Sequence, residues 1–179
     1  MKKLITLLLA VLMLLSLTAC GSESTVPTPT EAPASTETPE EEPAEKIMVT
    51  FSTEDRDGNP MDESIFADYK LIMLNFWEPW CGPCVREMPD LQKLYENNLD
   101  RGVLLIGVYS TAEGVDKVLE ETGVQYPMIT YTDDFEMFMT GYVPTTIFVR
   151  GDGSFVAGPF VGGGTLDDWQ AVVDALYEE

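Results

Sequence analysis

The sequence from residue 47 onward predicts an α/β domain, a central mixed β-sheet flanked by helices on both faces. Three observations carry this. "KLIMLNFW" (70–77) and "GVLLIGVYS" (102–110) are continuous apolar runs, the pattern of strands buried on both sides. Between them Val85, Met88, Leu91, Leu94 and Tyr95 recur at helical spacing, so a helix links the runs and permits parallel pairing. "TTIFVRGDGSFVAGPFV" (145–161) reads as two strands around an Asp-Gly turn, an antiparallel hairpin that makes the sheet mixed.

From the N-terminus, "MKKLITLLLAVLMLLSLTAC" (1–20) opens with Lys2 and Lys3 and continues with an apolar stretch from Leu4 to Leu17. A membrane span needs about 20 apolar residues, so this stretch fits an export signal better. Its end, Leu17-Thr18-Ala19-Cys20 before Gly21, resembles the lipobox of bacterial lipoproteins. That resemblance implies a signal peptide over 1–19, cleavage before Cys20 and lipid attachment at Cys20, which would hold the protein at a membrane surface. Residues 20–46 are rich in Pro, Thr, Ser, Glu and Ala and contain no aromatic residue. They are expected to be a disordered tether that reaches up to ~80 Å at about 3.1 Å per residue. The folded domain is expected over 47–179.

Within that domain "MVTFS" (48–52) reads as a short strand and "DRDGNP" (55–60) as a turn cluster. The strand 70–77 is followed by a helix from Pro83 to about Asn98, and then by the strand 102–110. "EGVDKVLEETG" (113–123) is an amphipathic helix stopped by Gly123, and "YPMITYT" (126–132) a shorter strand. "DDFEMFMTG" (133–141) is a short helix with Asp133 as its N-cap. After the hairpin, "VGGGT" (161–165) lacks the Lys and the spacing of a phosphate loop and reads as a strand-to-helix turn. "TLDDWQAVVDALYEE" (165–179) is a closing helix capped by Thr165.

Composition removes whole classes of chemistry. The 179 residues include no histidine, which excludes a Ser-His or Cys-His relay and any His-ligated zinc or haem. Ten basic against 31 acidic residues give a formal charge of −21, with no basic footprint for nucleic acid. There are three cysteines. If Cys20 carries lipid, Cys81 and Cys84 have only each other as partners in an exported protein.

"Trp80-Cys81-Gly82-Pro83-Cys84" follows a buried strand and opens a helix. The first cysteine then sits at a helix N-terminus, where free backbone N–H groups favour a thiolate. Pro83 is tolerated there because first-turn N–H groups have no intrahelical partner. Cys84 lies about one turn on, within disulfide reach. In this reading Cys81 attacks a substrate disulfide and Cys84 resolves the mixed disulfide. A structural disulfide closing so short a loop contributes little. A zinc site lacks its other ligands, so no metal and no cofactor are expected.

The stretch "LNFWEPWCGPCVREMP" resembles the active site of the thioredoxin superfamily, most closely its TlpA/ResA-like extracytoplasmic branch. "GYVPTTIFVRGDG" (141–153) is similar to that branch's cis-proline segment and hairpin. The resemblance covers about 47–179 and implies a thioredoxin-like fold, with Pro144 as a cis-proline facing the disulfide and Val143 offering backbone to a bound substrate. It further implies a membrane-anchored extracytoplasmic disulfide reductase, monomeric and kept reduced by a membrane electron donor. Its clients would be disulfide-containing exported proteins such as apocytochrome c.

Two positions depart from the family's pattern. Asn75 stands where thioredoxin has a buried Asp, and an amide cannot act as a base, so Glu87 becomes a candidate proton acceptor for Cys84. Its other reading is a solvated carboxylate or first-turn dipole partner. Glu78-Pro79 replaces the usual small residues; a carboxylate there would disfavour the Cys81 thiolate or repel acidic partners. Two other functions stand as alternatives: a thiol peroxidase on the same fold, and a Cu(I)-delivery module using Cys81 and Cys84.

Overall fold

The computed structural model describes residues 45–178; the expected signal peptide, Cys20 and the tether up to residue 44 lie outside the described residues. The chain forms β1 (Ser52–Glu54), β2 (Pro60–Asp62), β3 (Leu71–Phe76), α1 (Gly82–Asn98), β4 (Val103–Tyr109), α2 (Val115–Thr122), β5 (Met128–Thr130), β6 (Thr145–Arg150), β7 (Phe155–Val161) and α3 (Leu166–Glu178). Short 3-10 helices occupy Glu63–Asp68, Leu99–Arg101 and Asp133–Phe138.

The main sheet has the order β5-β4-β3-β6-β7. β4 runs parallel to both β3 and β5, while β6 is antiparallel to β3 and β7. Every residue of β3 and β4 is buried, which is why their sequences show no polar alternation. The two-residue strand period still sorts their side chains. Leu71, Met73, Val103, Leu105 and Phe148 face one side, with Met88, Leu91 and Leu94 of α1, Val118 and Leu119 of α2, and Trp169 and Val173 of α3. Ile72, Leu74, Phe76, Leu104, Ile106, Ile147 and Val149 face the other. Each such side chain, fully buried, stabilises the fold by about 1.5–3 kcal/mol.

Helical cover is therefore present on both faces, as expected, but of two kinds. The second face is closed by Phe66, Phe135 and Phe138 from 3-10 helices and by Val49 and Phe51. Phe135 and Phe138 are three residues apart, and the three-residue turn of a 3-10 helix brings both onto one side. The N-cap there is Thr132 and not Asp133, and it makes no side-chain capping bond. The next carboxylate, Asp134, accepts instead from the Ser52 N–H (3.2 Å) and the Thr132 hydroxyl (3.0 Å).

The strand expected at 48–52 is displaced. Met48 makes an isolated bridge to Ser154, and regular pairing starts only at Ser52. The cause is the 55–60 turn. Asp55 accepts from the N–H groups of Asp57 and Asn59, both at 2.8 Å, and folds 60–62 back onto 52–54 as a separate two-stranded sheet. At the other end Thr165 does cap α3. Its hydroxyl accepts from the Asp168 N–H at 3.3 Å, and Asp168 accepts in return from the Thr165 N–H at 3.0 Å. Among the described residues no helix is long and apolar enough to cross a membrane.

Candidate active site

β3 delivers the chain to the site. The Trp77 N–H continues the ladder to the Val108 carbonyl (2.9 Å), and the Cys81 N–H then turns back onto the Glu78 carbonyl (2.9 Å). Cys81 is the N-cap of α1, with extended backbone (φ −84°, ψ 98°), and Gly82 and Pro83 form the first turn. The Cys84 N–H donates to the Cys81 sulfur at 3.3 Å, so a free helix N–H points at the position where a thiolate would form. Cys81 and Cys84 are joined as a disulfide with Cα atoms 5.3 Å apart. Cys84 is sealed at 1% exposure, Cys81 shows 5%, and the preceding Trp80 is 70% exposed. Of the two cysteines, Cys81 is the less deeply buried and the one next to exposed Trp80.

The segment before β6 meets this sulfur from across the sheet. The Val143–Pro144 peptide is cis, and the Val143 carbonyl oxygen lies 3.5 Å from the Cys81 sulfur. The Thr145 hydroxyl donates to the Tyr142 carbonyl (2.7 Å) and fixes the loop's exit into β6. Tyr142, 70% exposed, stands beside it.

A polar cluster lies under the disulfide. Asn75 follows Met73 by two residues, so it points toward α1; its register partner on β6 is Thr146. Asn75 Nδ2 donates to Thr146 Oγ1 (3.0 Å) and to Glu87 Oε1 (3.1 Å). Glu87 Oε2 accepts from the Gly164 N–H at 3.0 Å and from Trp169 Nε1 at 3.4 Å. Glu87 is therefore buried and not the solvated carboxylate that was its other reading. Burial pushes its carboxyl above the ordinary value of 4.5, against the opposing pull of the bonds from Gly164, Asn75 and Trp169. A cleft of about 330 Å³ bounded by Pro83, Arg86, Glu87 and Gly163 lies beside it and gives a route to solvent.

Gly164, Thr146 and Trp169 carry no motif of their own and were not legible as site residues. Gly164 matters through what it lacks. A Cβ there would sit 2.8 Å from Trp169 Nε1. Gly164→Ala is therefore expected to push the indole off Glu87 and to cost about 1–3 kcal/mol of stability, measurable by denaturant unfolding.

The Glu78 side chain is engaged by the loop that follows β4. It is 7% exposed, and its carboxylate accepts from the Ser110 N–H (3.0 Å), the Ser110 hydroxyl and the Thr111 N–H (3.1 Å). It ties the active-site segment to the β4–α2 loop. Among the described residues no group of three or more Cys, Asp or Glu forms a metal cage.

Residues 44–155 match the AhpC/TSA family. The thiol-disulfide oxidoreductase ResA of Oceanobacillus iheyensis is 35% identical over 89 residues, 47% of this chain and 46% of that protein. ResA of Geobacillus kaustophilus is 34% identical over 97 residues, 51% of this chain and 56% of its own. The chain thus spans about half the length of these relatives. A thioredoxin family thiol:disulfide interchange protein from Chlorobium tepidum superposes with a TM-score of 0.65 at 24% identity, covering 75% of this chain and 98% of that one. StoA from Bacillus subtilis gives 0.58 at 18% identity, covering 75% and 100%. The structural likeness establishes a thioredoxin-like fold.

Proposed function

Because the chain belongs to the AhpC/TSA family, we propose that it is a thiol–disulfide oxidoreductase, a reductase of disulfides in exported proteins that is held at the membrane surface through Cys20. The observation that carries this reading is the Cys81–Cys84 disulfide at the N-terminus of α1, with Cys81 next to exposed Trp80 and Cys84 buried at 1% exposure. The resemblance of its curated relatives, which are named thiol-disulfide oxidoreductases, supports it.

In the reduced protein the Cys81 thiolate attacks one sulfur of a client disulfide. A mixed disulfide forms, and the first client thiolate leaves. The Val143 carbonyl beside Cys81 offers a hydrogen-bond acceptor to the client backbone. Cys84 then loses its proton, with Glu87 as the acceptor one turn along the same helix face, and attacks the Cys81 sulfur. The Cys81–Cys84 bond closes and the second client thiolate leaves. Two electrons have passed to the client, and an external dithiol or membrane donor must return them. Protons taken by Glu87 leave through the adjoining cleft.

The test is turnover of a disulfide-linked peptide pair with dithiothreitol as electron source, beside consumption of hydrogen peroxide. The reading expects catalysed peptide reduction and peroxide loss at the uncatalysed rate. The reverse pattern would make the protein a thiol peroxidase.

A further inference from the structure

A pit of about 100 Å³ has in its lining Glu78 and Val143, whose carbonyl oxygens both contact Cys81. Of its lining residues Phe76, Glu78 and Val108 are buried, and Ser110, Tyr131 and Val143 are more exposed. Two of these residues touch the reactive cysteine. The Val143 oxygen lies 3.5 Å from the Cys81 sulfur, and the Glu78 carbonyl accepts from the Cys81 N–H at 2.9 Å. A residue next to a client cysteine, held in mixed disulfide with Cys81, is thus within reach of the pit.

The pit's charge selects its occupant. Glu78 is buried, and among the described residues no Lys or Arg forms an ion pair with it. Its three bonds come from neutral donors, and a carboxylate has about four acceptor positions, so one stays open. The Tyr131 hydroxyl donates to exposed Glu136 (2.7 Å), which adds a second negative charge, and no lining residue is basic. A buried carboxylate without a cation is costly unless one arrives from elsewhere.

We infer that this pit is a subsite for a client side chain with an apolar stem and a cationic tip, an Arg or Lys adjacent to the client cysteine. The stem packs on Phe76 and Val108, and the tip meets Glu78. The inference rests on the thiol–disulfide exchange reading and adds a client class to it. The formal charge of −21 draws basic clients in general, whereas the pit reads where the positive charge lies.

The experiment measures kcat/KM for reduction of three disulfide-linked peptides by the full-length protein. One carries Arg next to Cys, one carries the same Arg five residues away at equal net charge, and one carries citrulline next to Cys as a neutral isostere. The adjacent Arg peptide is expected to react about tenfold faster than either of the others, with the Arg-to-citrulline ratio falling to about twofold or less in Glu78→Gln. The comparisons within the native protein stand even if the variant loosens the Ser110–Thr111 loop. Equal rates for the three peptides, or a preference that survives in Glu78→Gln, would overturn the subsite while leaving thiol–disulfide exchange intact. No catalysed reduction of any of the three would overturn both.

Discussion

Cys81→Ser is expected to reduce disulfide turnover to the uncatalysed rate, whereas Cys84→Ser is expected to trap its client. The two sulfurs lie in one covalent bond but in different surroundings. Cys81 caps the helix beside exposed Trp80 and the Val143 carbonyl, and Cys84 is sealed in the core. Without the first thiol nothing can attack. Without the second, attack proceeds and the mixed disulfide has no internal resolving group. Mass spectrometry after one turnover should find one client peptide bound per Cys84→Ser molecule, released by dithiothreitol, and none on Cys81→Ser. Adduct on Cys81→Ser and none on Cys84→Ser would reverse the assignment of roles.

Glu87→Gln is expected to act in two opposite directions. As proton acceptor for Cys84, its loss should slow resolution of the mixed disulfide by about a hundredfold and remove the acid limb of the resolution rate against pH. As a buried carboxylate it should be a burden on the fold. Its carboxyl is raised above the ordinary 4.5 by burial, so the unfolded chain ionises first as pH rises. Stability attached to Glu87 is full below about 4.5 and falls as pH climbs through the raised folded-state value. The Gln variant, with the Asn75 amide turned to keep its bonds, should then be more stable than the native protein at neutral pH and less dependent on pH over that window. Denaturant melts at several pH values and stopped-flow resolution rates check both halves. A purely structural Glu87 would move the melts and leave the acid limb in place.

The parts of this molecule that were readable in the sequence are those where local pattern and burial coincide. β3 and β4 are covered on both faces, so their runs are uniformly apolar, and α1 carries its cysteines at its own first turn. The burial of Glu87 also had a local signal. Cys84, Glu87, Met88, Leu91 and Leu94 form one buried stripe of α1, and a carboxylate in such a stripe needs partners. Which partners it has was not readable, because Asn75, Gly164 and Trp169 lie 12, 77 and 82 residues away and meet only when the sheet closes. The same holds for Glu78, whose partners Ser110 and Thr111 sit 32 and 33 residues on. β2 and the 3-10 helix Glu63–Asp68 are too short for any periodicity to show. They exist because Asp55 fixes a turn and because Phe66 fills the second face.

The reduction potential of the Cys81–Cys84 pair, measured by equilibrating the protein with defined thiol–disulfide buffers and quantifying the two forms, tests the direction of electron flow most directly. A reductase of exported proteins requires a value near that of thioredoxin, about −270 mV or lower. A value close to about −120 mV would mark a disulfide donor and contradict the proposed direction of electron flow.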